Sequence, residues 1–165
     1  MHILGIDPGI ANTGWGILDF VGQRFQPVCY GVINTDPSEK LEKRIAVIAE
    51  SVAQIIINYD VKYVSMEDIF FAKNEVSAIG VAKVIGAVIH AAYKENVEVS
   101  MFTPMQIKMS ITGFGKAEKK QVQEMCRILL KLDKIPRPDH AADALAAAVC
   151  FCNTNATMGR LGTIK

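Results

Sequence analysis

The sequence predicts an α/β fold: one mixed five-stranded sheet flanked by helices. Three strand-like segments follow one another at the start of the chain, joined by links too short for a crossover. Helix-like and strand-like segments then alternate to the end. The 165 residues are half apolar, enough for one buried core and short for two.

HILGID (2–7) reads as a buried strand, and TGWGILDFV (13–21) and QPVCYGVIN (26–34) as two further strands in antiparallel succession. In PSEKLEKRIAVIAESVAQIIINY (37–59), Leu41, Ile45, Ile48, Val52, Ile55 and Ile56 recur at helical spacing, and Ser38 is placed to cap the helix. VKYVSME (61–67) is a fourth strand, NEVSAIGVAKVIGAVIHAAYKEN (74–96) a very apolar helix, and VEVSMF (97–102) a fifth strand. Pro104 opens a short helix, TGFGK (112–116) breaks it, and AEKKQVQEMCRILLKL (117–132) is an amphipathic helix. HAADALAAAVCFCN (140–153) is the last helix, with Asp139 placed as its N-cap. One domain over 1–153 and a flexible tail over 154–165 are expected.

No apolar run is long enough to span a bilayer, and no basic segment leads into a cleavable apolar region. Both point to a cytosolic protein with no membrane contact. Cys29, Cys126, Cys150 and Cys152 form no CxxC pair and sit among apolar residues, as reduced, half-buried thiols do. A zinc half-site at Cys150 and Cys152 lacks a second pair of ligands.

Net charge is only +1, but it is unevenly spread. Residues 1–70 carry five Lys/Arg against nine Asp/Glu, whereas 104–137 carry eight against three. An acidic half beside a basic half suits a cation site next to a polyanion site.

Three carboxylates stand in apolar surroundings: Asp7 after HILGI, Glu67 at the end of VKYVSM, and Asp143 in HAADALAAAV. Strands that end side by side would bring Asp7 and Glu67 together. His140 and Asp143, three apart, share a helix face. Clustered carboxylates are costly to bury unless a hard divalent cation neutralises them. Each residue also has a plainer reading. Asp7 before Pro-Gly suits a turn, Glu67 could pair with a lysine, Asp143 could be an ion-pair partner, and His140 could be structural.

Four segments, GIDPGIANTGWGI, MEDIFFAKNEVSA, TGFGKAEKKQVQEM and PDHAADALAAA, resemble in content and order the RuvC family of bacterial Holliday-junction resolvases, from about residue 2 to 152. The first segment alone also occurs in sugar kinases and other actin-like ATPases; the four together are specific. The resemblance implies a ribonuclease-H-like fold and a homodimer that nicks two strands of a four-way DNA junction symmetrically in recombination and repair. It implies two Mg²⁺ or Mn²⁺ ions per active site, held by Asp7, Glu67, His140 and Asp143. One ion would activate water and the other would stabilise the leaving 3′ oxygen. It also implies a branch-migration partner, the RuvA–RuvB complex. The family motif often reads D-A-A-D, whereas this chain reads His140-Ala-Ala-Asp143. A neutral imidazole removes one charge and prefers a softer ion, so a lean toward Mn²⁺ is expected.

Two DNA surfaces follow. In IFFAKNE, Phe70 matches the family's aromatic wedge and would stack on an unpaired base at the branch point. Phe71 faces either the DNA or the core, and Lys73 and Asn74 reach the backbone. In TGFGKAEKKQV, Lys116, Lys119 and Lys120 crowd a helix start, where the helix dipole disfavours cations, so an external anion is expected to compensate. Lys108 and Lys119 match family positions near the scissile phosphate, and Lys119 is the preferred stabiliser of developing charge. The helix around Gly80 and Gly86 either dimerises or is simply buried. Two other function classes remain open: a nucleotide phosphotransferase, predicting ATP turnover without DNA, and a non-catalytic junction binder, predicting no nicking in any metal.

Overall fold

The computed structural model describes residues 1–22, 24–69 and 75–157, with the backbone alone at 75–77 and 157. Five strands, β1 (His2–Asp7), β2 (Asn12–Val21), β3 (Arg24–Asn34), β4 (Val61–Glu67) and β5 (Glu98–Phe102), form one sheet in the order β3-β2-β1-β4-β5. β2 pairs antiparallel with β1 and β3; β4 pairs parallel with β1 and β5. The helices are α1 (Leu41–Asn58), α2 (Glu75–Lys94), α3 (Pro104–Thr112), α4 (Lys119–Leu129) and α5 (Asp139–Thr157). The mixed sheet covered by helices is the architecture the element sequence predicts.

Side chains alternate across a strand, so the sheet has two cores. Leu4, Ile6, Ile17, Val64 and Met66 face α1 and α2, meeting Ile48, Val52, Val84 and Val88. Ile3, Leu18 and Phe102 face α3, α4 and α5. The same alternation sends Gly5 and Asp7 of β1, and Ser65 and Glu67 of β4, to the α5 side.

The glycines of the opening segment let α5 lie directly on the sheet. A Cβ on Gly5 would stand 1.8 Å from the Ala144 carbonyl oxygen. On Gly14 it would stand 2.0 Å from that of His140, and on Gly16 2.6 Å from the Leu145 side chain. α5 is rich in small residues, with Ala141, Ala142, Ala144, Ala146, Ala147 and Ala148 all buried, and Ala144 and Ala148 stand against Gly5. Small residues on both surfaces bring the backbones together, and the buried Ser65 hydroxyl donates to the Ala147 carbonyl at 2.6 Å.

Among the element ends that differ from expectation, four bear on the helix caps and the tail. Ser38 does not cap α1. Its N–H and hydroxyl both donate to Asp36 Oδ1 at 2.8 Å, an Asx turn that competes with capping, and Lys40 is the N-cap. α4 spans Lys119–Leu129 rather than 117–132: Ala117 is buried in the preceding turn, and Lys131 takes a positive φ. Asp139 is the first helical residue of α5, not its cap. α5 also runs through Thr157, past the expected start of the tail at 154.

Candidate active site

Asp7 and Glu67 close two adjacent parallel strands whose last paired residues are Ile6 and Met66. Both carboxylates therefore stand at one sheet edge, on the face covered by α5. The first turns of α5 cross that edge and supply His140 and Asp143. His140 Nδ1 lies 2.7 Å from Asp7 Oδ2. Asp143 Oδ2 is 2.8 Å from Lys119 Nζ, which also lies 3.8 Å from Asp139. Glu67, Lys108, Lys119 and Asp143 line one cleft of about 270 Å³ with Pro104, Ile107, Val122 and Ala146. Thr103 aims α3 and its Lys108: its hydroxyl accepts the Gln106 N–H, and Gln106 Oε1 accepts the Thr103 N–H in return.

The electrostatics are those of crowded anions. Burial, then the charges of Asp7 and Asp143, push the Glu67 carboxyl up to about 7. Asp7 is raised by burial and by Asp143, against the pull of its His140 hydrogen bond. Lys119 is pulled down by burial, but its hydrogen bond to Asp143 and the charges of Asp143, Asp139 and Asp7 outweigh this and raise it. Among the described residues, no three His, Cys, Asp or Glu side chains are gathered about one point as ligands; Asp7 pairs with His140, and Asp143 with Lys119. Asp143 is an ion-pair partner of Lys119, and His140 is bonded to a carboxylate.

The expected external anion at the start of α4 is partly replaced. Lys119 is compensated internally by Asp143 and Asp139, which reach it from α5. Lys120 lies outside the cleft and borders a second groove with Phe114; Lys116 is exposed nearby. Neither makes an ion pair among the described residues. Phe70, Phe71, Lys73 and Asn74 lie outside the described residues. Asp139 entered the charge cluster unexpected as a partner of Lys119; its place one turn before Asp143 on the same helix was the available signal. All four cysteines are free thiols, Cys29 half-buried and the others buried. Among the described residues no cysteine joins a metal-ligand cluster.

A mixed sheet of this order, with acidic side chains converging at the end of its central parallel pair under a helix N-terminus, defines a nuclease of the ribonuclease-H-like class. The model of the family "Crossover junction endodeoxyribonuclease RuvC" matches residues 3–151, and the chain belongs to that family. A curated relative, the crossover junction endodeoxyribonuclease RuvC of Caldanaerobacter subterraneus subsp. tengcongensis, is 42% identical over 162 residues, 98% of either chain. The Thermus thermophilus RuvC structure superposes with a TM-score of 0.89 at 34% identity, covering 97% of this chain and 98% of that one. T. thermophilus RuvC in complex with a Holliday junction substrate gives 0.87 at 32% identity, with the same coverage. The activity is therefore that of a DNA hydrolase, a Holliday-junction resolvase, with the divalent-metal dependence general to the family. Neither the phosphotransferase nor the non-catalytic reading is favoured. No helix among the described residues is long and apolar enough to cross a membrane.

Proposed function

We propose that Asp7, Glu67, His140 and Asp143 hold two Mg²⁺ or Mn²⁺ ions, and that the chain resolves four-way DNA junctions by paired, symmetric phosphodiester hydrolysis. The observation that carries this is the meeting of Asp7, Glu67 and Asp143 at one sheet edge, close enough to perturb one another, beside Lys108 and Lys119. The donor set fits the ions: hard carboxylate oxygens dominate, and mutual repulsion is relieved by a divalent cation. Bound there, the ions would supply Lewis-acid activation and charge neutralisation for a phosphoryl displacement.

The chain's own side chains do the rest. Lys119, whose Nζ lies 2.8 Å from Asp143 at the cleft wall, would neutralise charge developing on the phosphate. Lys108, on the other wall of the cleft, holds the backbone of the strand to be cut. Lys116 and Lys120 extend the basic surface along the DNA. Phe70, Phe71, Lys73 and Asn74, just after Glu67 in sequence, are proposed to engage the branch point.

Symmetric nicks require two sites related by a two-fold axis. The outward face of α2 supports a homodimer. Ile79, Gly86 and Tyr93 recur every seven residues along it, with Ile79 and Tyr93 each 57% exposed and nothing within 4 Å of a Cβ built on Gly86. Gly80, by contrast, packs on Ile10 within the same chain. Cytoplasmic action alongside a RuvA–RuvB complex belongs to the same proposal.

The test is a nicking assay on a synthetic four-way junction against linear duplex, with and without Mn²⁺. Paired nicks confined to the junction and to metal support the proposal. Nicking of both substrates alike, or without metal, refutes it.

A further inference from the structure

The connection from α3 to α4 carries an aromatic ring that the cleft does not use. Phe114 is 58% exposed, although burying such a ring is favourable. Its backbone is nonetheless clamped. Gly113 takes the left-handed conformation at φ 73° and donates its N–H to the Met109 carbonyl at 2.9 Å. The Thr112 hydroxyl donates back to the Lys108 carbonyl at 2.8 Å and its Oγ1 accepts the Phe114 N–H at 3.1 Å, while the Phe114 carbonyl accepts from the Ala117 N–H at 3.0 Å. Ala117 is itself locked in the core. Met105 lies against Gly115, where a Cβ would stand 2.8 Å from its Cγ and push the Met105 side chain aside. The ring thus stands on a pre-ordered platform, and a partner that covers it pays little ordering entropy.

The surroundings say what the partner is. Phe114 borders a groove of about 490 Å³ with Thr112, Ala117, Lys120, Gln121, Glu124 and Met125. Lys120 and the neighbouring exposed Lys116 supply positive charge. The groove's acidic residue, Glu124, is engaged by Arg127, whose Nη2 lies 2.6 Å from Oε1. Lys119 and Lys120 are consecutive at the start of α4. One faces the catalytic cleft and the other this groove, so the two are contiguous across a helix end.

We propose that Phe114 is a DNA-positioning residue: its ring stacks on a base of the strand being cut, beyond the scissile phosphate, while Lys116 and Lys120 hold the flanking phosphates. Contact to a π-face tolerates any base, whereas the lysines read only charge. The ring thereby fixes where along the strand the cut falls. A protein partner is the competing occupant; the flanking lysines and the continuity with the cleft favour DNA.

The test uses the intact protein, a synthetic four-way junction and the variants Phe114→Ala, Phe114→Trp and Lys120→Ala. Phe114→Ala should weaken junction binding or slow cleavage roughly 5- to 150-fold, the equivalent of one lost base stack. Its salt dependence of binding should match the native protein, because stacking releases no counterions. Phe114→Trp should restore function, and Lys120→Ala should flatten the salt slope. Thermal midpoints of both Phe114 variants should stay near native, since the ring is exposed. The native protein must nick the junction in the same assay, which separates this test from that of the nuclease itself. Native-like binding and cleavage by Phe114→Ala would overturn the proposal, as would a salt slope lowered as in Lys120→Ala.

Discussion

His140 Nδ1 stands 2.7 Å from Asp7 Oδ2, joining residues 133 positions apart in the chain. The bond crosses from β1 to the first turn of α5, and the missing Cβ of Gly14 lets the His140 backbone settle where the ring can reach. Family motifs often have aspartate at this helix position. An imidazole there can bond a carboxylate; a second carboxylate would repel it.

His140→Asp should therefore shift metal preference and metal-free stability together. The substitution adds a hard oxygen donor and a negative charge beside Asp7. The ratio of cleavage rates in Mn²⁺ to Mg²⁺ should fall, and the metal-free thermal midpoint should drop. An unchanged ratio would remove the imidazole from the ion-selecting set.

Glu67 sets a pH dependence whose sign follows from burial. Its carboxyl is raised from 4.5 to about 7 in the folded chain, so the folded state holds that proton more tightly than the unfolded state. Between pH 4.5 and 7 the metal-free protein should lose stability as pH rises, by about 3 kcal/mol, with no further loss from this group above that window. Glu67→Gln should flatten the profile, and added Mn²⁺ should offset the loss at pH 7 and above. Thermal melts in chelator across this range make the comparison; identical profiles for native and Glu67→Gln would contradict the assignment.

Lys119 links two roles that one substitution separates. Lys119→Met keeps the unbranched apolar stem of the side chain but leaves Asp143 without its partner at 2.8 Å. Cleavage under saturating DNA should fall at least tenfold, and the salt slope of junction binding should shrink by about one phosphate contact. A variant with native cleavage rate and native slope would place Lys119 outside the reaction.

Two glycines with opposite surroundings test the packing account. Gly14→Ala drives a Cβ to 2.0 Å from the His140 carbonyl, so α5 must shift; a loss of about 1–3 kcal/mol and of activity is expected. At Gly86 a Cβ has nothing within 4 Å in its own chain, so Gly86→Arg should leave the protomer folded while dissociating the proposed homodimer, read by sedimentation. Equal stability of Gly14→Ala and native protein would mean that α5 does not rest on the sheet as described.

Much of this was legible in the residues. Asp7, Glu67 and Asp143 announced themselves as charges in apolar stretches, and helical spacing put His140 beside Asp143. The charge imbalance set an acidic half beside a basic half, and Lys108 and Lys119 share a cleft with Glu67 and Asp143. Tertiary packing hid the rest. Nothing local in Lys119 says that two aspartates of a distant helix will neutralise it. Ser38 carried a cap signal that Asp36 captured two residues earlier. The role of Gly5, Gly14 and Gly16 depends on which helix covers them, which no spacing within the strands encodes.

Mn²⁺ binding, followed by calorimetry in the native protein and in Asp7→Asn, Glu67→Gln and Asp143→Asn, probes most directly whether these distant side chains form one site. Each single variant should lose or severely weaken the same binding event while its thermal unfolding stays cooperative. Native-like Mn²⁺ affinity in the three variants would show that the carboxylates do not act together.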